Sequence, residues 1–430
     1  MGDNMSYSKK EINKVIKKII DSFYLPNENP AFNQDIESFK HNGDFFKSEK
    51  LHSNIEPRTI TLIGTEKLVK YKNSFRELYN VMDIRTDYKI SFETFKNETQ
   101  QLFFDNEFNY EKIKELLKSM PIIPFYHVAR IFGVEMREDY LEFGKFAFIN
   151  KNHIVEYIEL KTQGKEKYAE LKKWALEGIA NEVKSGKTFI YLAIKYEAKD
   201  AAYCKEEYDR ELNLVINTLR YISGVKNDRI YIDKKEFMNQ GISYQQFTED
   251  GLVLGGKKRD IKDIPILISE ALFYNEKNGS KKIWGILSKE KNTEFEKRII
   301  KAIDWVGISI NEDNKDIACT EIAIAFEALL KRNDQTLISP SIQGQISESI
   351  ALLIGKDLEE RKNIIKWFKK FYEYRSSIVH GYSKEIEANY YDCLYIFKDT
   401  LTKILVDEKY SNIKTLDELN SKLTELKYDF

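Results

Sequence analysis

LEERKNIIKWFKKFYEYRSSIVHG, residues 358–381, reads as one long helix closed by a glycine. At 3.6 residues per turn, Ile365, Phe368, Tyr372 and Val379 line up as one apolar stripe, with Ile364 and Phe371 beside it. Arg375 falls in the middle of that stripe. A guanidinium turned toward a core or an interface must occupy its five donors, because an unpaired buried cation is costly. A polar or anionic partner is therefore expected, and if Arg375 is a structural arginine, Glu327 on the second helix of the C-terminal helical run is one candidate. His380 lies five residues on, about 140° around an undistorted helix from Arg375. The two meet only if the helix frays at His380, with Gly381 in the C′ position, or if two copies of the chain build the site. His380 shares its sector with Lys362, Lys366 and Lys369.

Working outward, everything from Thr293 onward is helical in texture. Thr293-Glu294-Phe295-Glu296 is a capping box opening a helix that buries Phe295, Ile299, Ile303 and Val306. The next helices carry Ile322, Phe326, Leu329 and Leu330, then Ile342, Ile346, Ile350 and Leu353 up to Gly355. After the Arg375 helix come one with Ile386, Tyr390, Leu394, Phe397, Leu401 and Ile404, and a last short one capped by Thr415. Each stripe is one face wide, as in a bundle. Residues 8–22 also have helical spacing, whereas Pro26 to Pro57 reads as a linker or long loop. From Arg58 strand-like pieces such as Thr59–Ile63 alternate with helical ones such as Tyr110–Met120. Tyr140–Leu160 suggests a hairpin broken at Asn150-Lys151-Asn152. Lys165–Lys184 reads as helix, Thr188–Tyr196 as the clearest strand, and Ala201–Ile222 as an amphipathic helix stopped by Gly224. Short strands are expected near Ile230, Ile242 and Leu252.

The fold class expected is α+β and multidomain: a mixed α/β region over 1–160, an α/β middle domain over 161–290, and an all-α helical bundle over 291–430. A chain of 430 residues that is 42% hydrophobic and 32% charged has the apolar content for more than one core. The net charge of −1 favours no polyanionic partner, so a nucleic-acid surface has to be local. The local concentration is Arg361, Lys362, Lys366, Lys369, Lys370 and Arg375, with no acid between Arg361 and Phe371. Three widely spaced cysteines form no disulfide framework and no paired zinc motif, a pattern of reducing compartments. No apolar run approaches a membrane span, so a cytoplasmic protein without membrane contact is expected.

Ser185-Gly186-Lys187-Thr188 imitates the end of a phosphate-binding loop, but Asn181 stands where the pattern needs glycine, and the order of elements is reversed. Gly251 to Gly256 lacks dinucleotide spacing and reads as a turn. No metal-ligand motif is present, and no metal or cofactor is expected.

Phe326-Glu327-Ala328-Leu329-Leu330 followed by Tyr374-Arg375-Ser376-Ser377-Ile378-Val379-His380-Gly381 resembles the signature of the ApeA-like branch of the HEPN superfamily. The order fits as well: a Trp-containing first helix with Trp305, the Glu-Ala-Leu-Leu helix, a glycine-ended third, then the Arg-x4-His helix. The resemblance spans Thr293–Glu408, roughly a quarter of the chain. It implies a HEPN helical bundle and a metal-independent endoribonuclease that acts as a homodimer through this domain, as a toxin or antiviral (abortive infection) effector. By carry-over Arg375 and His380 are the motif's two defining residues. Many catalytic members place Asn, Asp or His directly after the arginine; this chain has Ser376, as the ApeA-like branch does.

The chemistry suits these residue types: histidine titrates near neutrality and can move protons, while a guanidinium grips two phosphate oxygens. Ser376, Tyr374 and Tyr382 are expected to position RNA, with Lys366, Lys369 and Lys370 on the flanking backbone. A non-catalytic HEPN nucleotide- or partner-binding module, or a purely structural dimerisation bundle, is the competing expectation. The N-terminal region is expected to take a trigger ligand or inhibitor.

Overall fold

The computed structural model describes residues 8–20, 48–52, 59–63, 65–104, 108–162, 172–173, 176–177, 189–224, 245–246, 266–312, 314–332, 341–381 and 389–428. The expected strands near Ile230, Ile242 and Leu252, the Ser185–Thr188 motif and most of the Lys165–Lys184 helix lie outside them. The chain divides into two compact units: Met1–Phe125 with Tyr196–Glu207, and Tyr126–Lys195 with Tyr208–Phe430. Among the described residues the architecture is mostly helical, with small sheets in the N-terminal half and a helical C-terminal region, compatible with the α+β class.

The first unit holds α1 (Lys9–Ile20), the strands β1 (Ser48–His52) and β2 (Thr59–Ile63), and the helices α2 (Thr65–Val81), α3 (Ile84–Tyr88), α4 (Phe92–Phe104) and α5 (Tyr110–Ser119). Ile12, Val15, Ile16 and Ile19 of α1 are buried, as their i, i+3, i+4 spacing requires, in a core with Tyr71, Phe75, Phe95 and Leu117. β1 corrects the linker expected over Pro26–Pro57: Ser48–His52 pairs antiparallel with β2, from Ser48↔Ile63 to His52↔Thr59. Ser-Glu-Lys-Leu-His holds one apolar residue, so the strand rests on main-chain pairing that no hydropathy pattern reveals.

Five strands form the larger sheet, in the order β5 (Tyr140–Phe143), β6 (Phe146–Asn150), β7 (Phe189–Ala198), β3 (Ile123–Phe132) and β8 (Gln245–Gln246). β4 (Val134–Met136) pairs in parallel with β9 (Ile266–Ile268). The hairpin expected to break at Asn150–Asn152 turns instead at Gly144-Lys145, and Tyr140 pairs with Ile149. Gly144 takes φ +67°, and a Cβ there would come within 2.0 Å of Ser288 Oγ, so a turn with no side chain is required. After Asn150 the chain coils into α6 (Ile154–Thr162), whose Ile154, Tyr157 and Ile158 are buried at helical spacing.

Across the second unit run α7 (Ala201–Ser223), shared in sequence with the first unit, then α8 (Glu270–Phe273) and α9 (Ser280–Leu287). Trp284 of α9, fully buried, packs its ring within 5.6 Å of the Phe143, Phe146 and Phe148 rings, and its indole N–H donates to Phe273 O at 2.7 Å. The bundle follows: α10 (Glu294–Asn311), α11 (Lys315–Leu330), α12 (Ile342–Ile354), α13 (Leu358–His380), α14 (Tyr390–Val406) and α15 (Leu416–Tyr428). The capping box at Thr293 and Glu296 forms in full. α10 lies along α11, while α11 and α12 each pack on both α13 and α14. Gly307 of α10 meets Asn217 of α7 so closely that a Cβ would sit 2.4 Å from the Asn217 main chain.

Candidate active site

α13 is one unbroken helix from Leu358 to His380. Asp357 caps its start, accepting from Glu360 N at 2.8 Å, and Gly381 closes it in the left-handed region at φ 70°. Phe368 and Phe371 are buried; Phe368 lies edge-on to Phe326 of α11 at 5.3 Å and stacks on Tyr372 at 6.0 Å. The apolar stripe ends there, since Val379, expected to continue it, is half exposed.

Arg375 has the anionic partner its position asks for. Its Nη2 lies 3.4 Å from Glu327 Oε1 on α11, both side chains being about four-fifths buried. Tyr372, one turn earlier, donates its hydroxyl to the same Oε1 at 2.8 Å, and its ring lies 5.5 Å from the guanidinium carbon. Burial and the bond to Glu327 push the Tyr372 phenol up to about 12. Arg375 makes an ion pair but no hydrogen bond, and its buried Nε has no acceptor.

The other expected residues fall differently. Tyr374 donates to Asp316 Oδ1 at 2.5 Å at the start of α11. Ser377, not Ser376, is the buried serine, bonded to Tyr374 O at 2.7 Å; Ser376 is half-buried. His380 is the last helical residue and is exposed. With no break between them, Arg375 and His380 leave the helix about 140° apart, and the single chain does not gather them. Lys362, Lys366 and Lys369 are exposed on the face that ends at His380, and Lys370, also exposed, lies about 80° around from it. Tyr382 lies outside the described residues.

Sequence reasoning placed Glu327 near the site but missed Tyr372 and Asp316 as polar partners. The one available signal was that Tyr372 stands three residues before Arg375, so an apolar-stripe aromatic with a hydroxyl could reach whatever neutralises the arginine. Compared with family models, curated proteins and solved structures, the chain matches none of them. Among the described residues no helix is long and apolar enough to cross a membrane.

Proposed function

We propose that the protein is a metal-independent endoribonuclease of the HEPN type, with Arg375 and His380 as its working pair, acting as a toxin or antiviral defence effector. The observation that supports this most is the state of Arg375. A largely buried guanidinium with no hydrogen bond and an orphaned Nε is short of acceptors, and a phosphodiester supplies two oxygens in the matching geometry.

In this reading Arg375 binds the scissile phosphate and stabilises the added charge on phosphorus. An imidazole takes the 2′-hydroxyl proton as that oxygen attacks phosphorus; an imidazolium returns a proton to the departing 5′-oxygen. The products are a 2′,3′-cyclic phosphate and a free 5′-hydroxyl. Two histidines divide these roles if two copies of the chain face each other, which also removes the 140° problem of one helix. Lys366, Lys369 and Lys370 hold the backbone that flanks the cut.

One observation favours the competing module that binds without cleaving: Glu327 already stands beside Arg375 as an internal anion. Incubation of purified protein with a tRNA pool in EDTA separates the two. Cleavage by wild type, lowered at least a hundredfold in Arg375→Ala and His380→Ala, is expected. Cleavage that survives either substitution refutes the assignment, and intact RNA with wild type leaves the binding module.

A further inference from the structure

Cys319 and Cys393 have no role in the site described above. Cys319 lies in the second turn of α11 and Cys393 in the first turn of α14, buried to 1% and 0% exposure. These helices pass each other in a register marked by two contacts. Lys315 Nζ lies 4.4 Å from the centre of the Tyr390 ring, and further along the rings of Phe326 and Phe397 meet at 5.1 Å. From the first contact, four residues advance α11 by about 6 Å and three advance α14 by about 4.5 Å, so Cys319 and Cys393 arrive at nearly the same level. The thiols hydrogen-bond to each other there.

We propose that Cys319 and Cys393 form a modification site, a dithiol that closes to an intrachain disulfide when it meets a low-molecular-weight disulfide such as oxidised glutathione. The Cys319 thiolate attacks one glutathione sulfur and expels the first glutathione as its thiolate. Cys393 then gives up its proton and attacks Cys319 Sγ, expelling the second. Two protein S–H bonds are lost, one S–S bond forms, and glutathione disulfide is reduced to two thiols that keep the two protons. The hydrogen bond from Cys393 holds the Cys319 thiol below the usual range, while the same contact and burial push Cys393 up. The same two bonds form and break if Cys393 attacks first, and the disulfide produced is identical. Cys393 sits in the first turn of its helix and Cys319 in the second, near the ends, where local opening gives reagents access at small cost. The closed ring encloses all of α12 and α13. This inference stands independently of any ribonuclease activity.

The test equilibrates the full chain with mixtures of reduced and oxidised glutathione, traps free thiols by alkylation, and maps peptides without reduction. The expected result is a peptide pair joined through Cys319 and Cys393, in wild type and in Cys204→Ser alike. Tm of the oxidised protein should rise by several degrees. Cys319→Ser and Cys393→Ser should give no joined pair. Three free thiols at every ratio, a glutathione adduct that persists on Cys319 or Cys393, or a bridge to Cys204 overturns the proposal. If the Cys319 and Cys393 variants fail to fold, the maps of wild type and Cys204→Ser decide it alone.

Discussion

Arg375 is held by a carboxylate on a different helix and a tyrosine on its own, and the two supports were unequally visible in the sequence. An arginine on an apolar stripe implies an anion within reach, for which Glu327 was one candidate, and the two do pair. Tyr372 counts as apolar in a periodicity, so its hydroxyl contact with Glu327 emerges only when α11 and α13 are packed together. A second carboxylate, Glu321 of α11, illustrates how burial is felt at a single residue. Burial and then the nearby Glu312 push it up from 4.5 to about 7, and its Oε2 has no hydrogen bond. The folded chain therefore holds a proton that the unfolded chain releases, so this contribution to stability is full below about pH 4.5 and is lost as pH climbs through about 7. Between about pH 5 and about pH 8 the loss should be on the order of 1 kcal/mol after allowing for solvent screening, and Glu321→Gln should flatten it in thermal scans.

At the scale of elements, α1, α5, α7 and the helices of the bundle were legible because their stripes repeat over several turns, whereas α2, α4 and α6 were not singled out. What escaped were pieces that depend on a distant partner. β1 and β9 exist through pairing with β2 and β4, and the turn between β5 and β6 is fixed by a glycine with positive φ against Ser288. Close packing between helices was equally silent. Gly307→Ala should cost about 3 kcal/mol, measured by denaturant titration, because its methyl would strike the Asn217 main chain at 2.4 Å. Gly285→Ala, in α9 with nothing within 4 Å, should instead stabilise by about 0.5–1 kcal/mol through helix propensity. A smaller effect at Gly307 than at Gly285 would refute the close approach of α10 and α7.

For the whole molecule, the separation of Arg375 and His380 along one straight helix turns the proposed activity into a question of assembly. If each site takes its arginine from one copy and its histidine from another, mixing and refolding equal amounts of Arg375→Ala and His380→Ala should restore about a quarter of wild-type cleavage. Half of the dimers are then mixed, and each mixed dimer has one intact site. No recovery, with each variant inactive by itself, would mean either that both residues of a site come from one copy or that each site needs both histidines.

The first unit has a further consequence, for synthesis. It is completed by Tyr196–Glu207, where Asp200 accepts from Ser91 N at 2.7 Å and Glu207 pairs with Arg85 at 2.7 Å. A nascent chain that has just emerged through Phe125 lacks those partners and must wait for the next eighty or so residues, including much of the larger sheet, before they appear. Vectorial folding can therefore gather the core of this unit, whose buried residues run from Ile12 to Leu117, but leaves the Asp200 and Glu207 contacts to be made later. A fragment ending at Phe125 keeps every buried residue of that core and lacks the partners of Ser91 and Arg85.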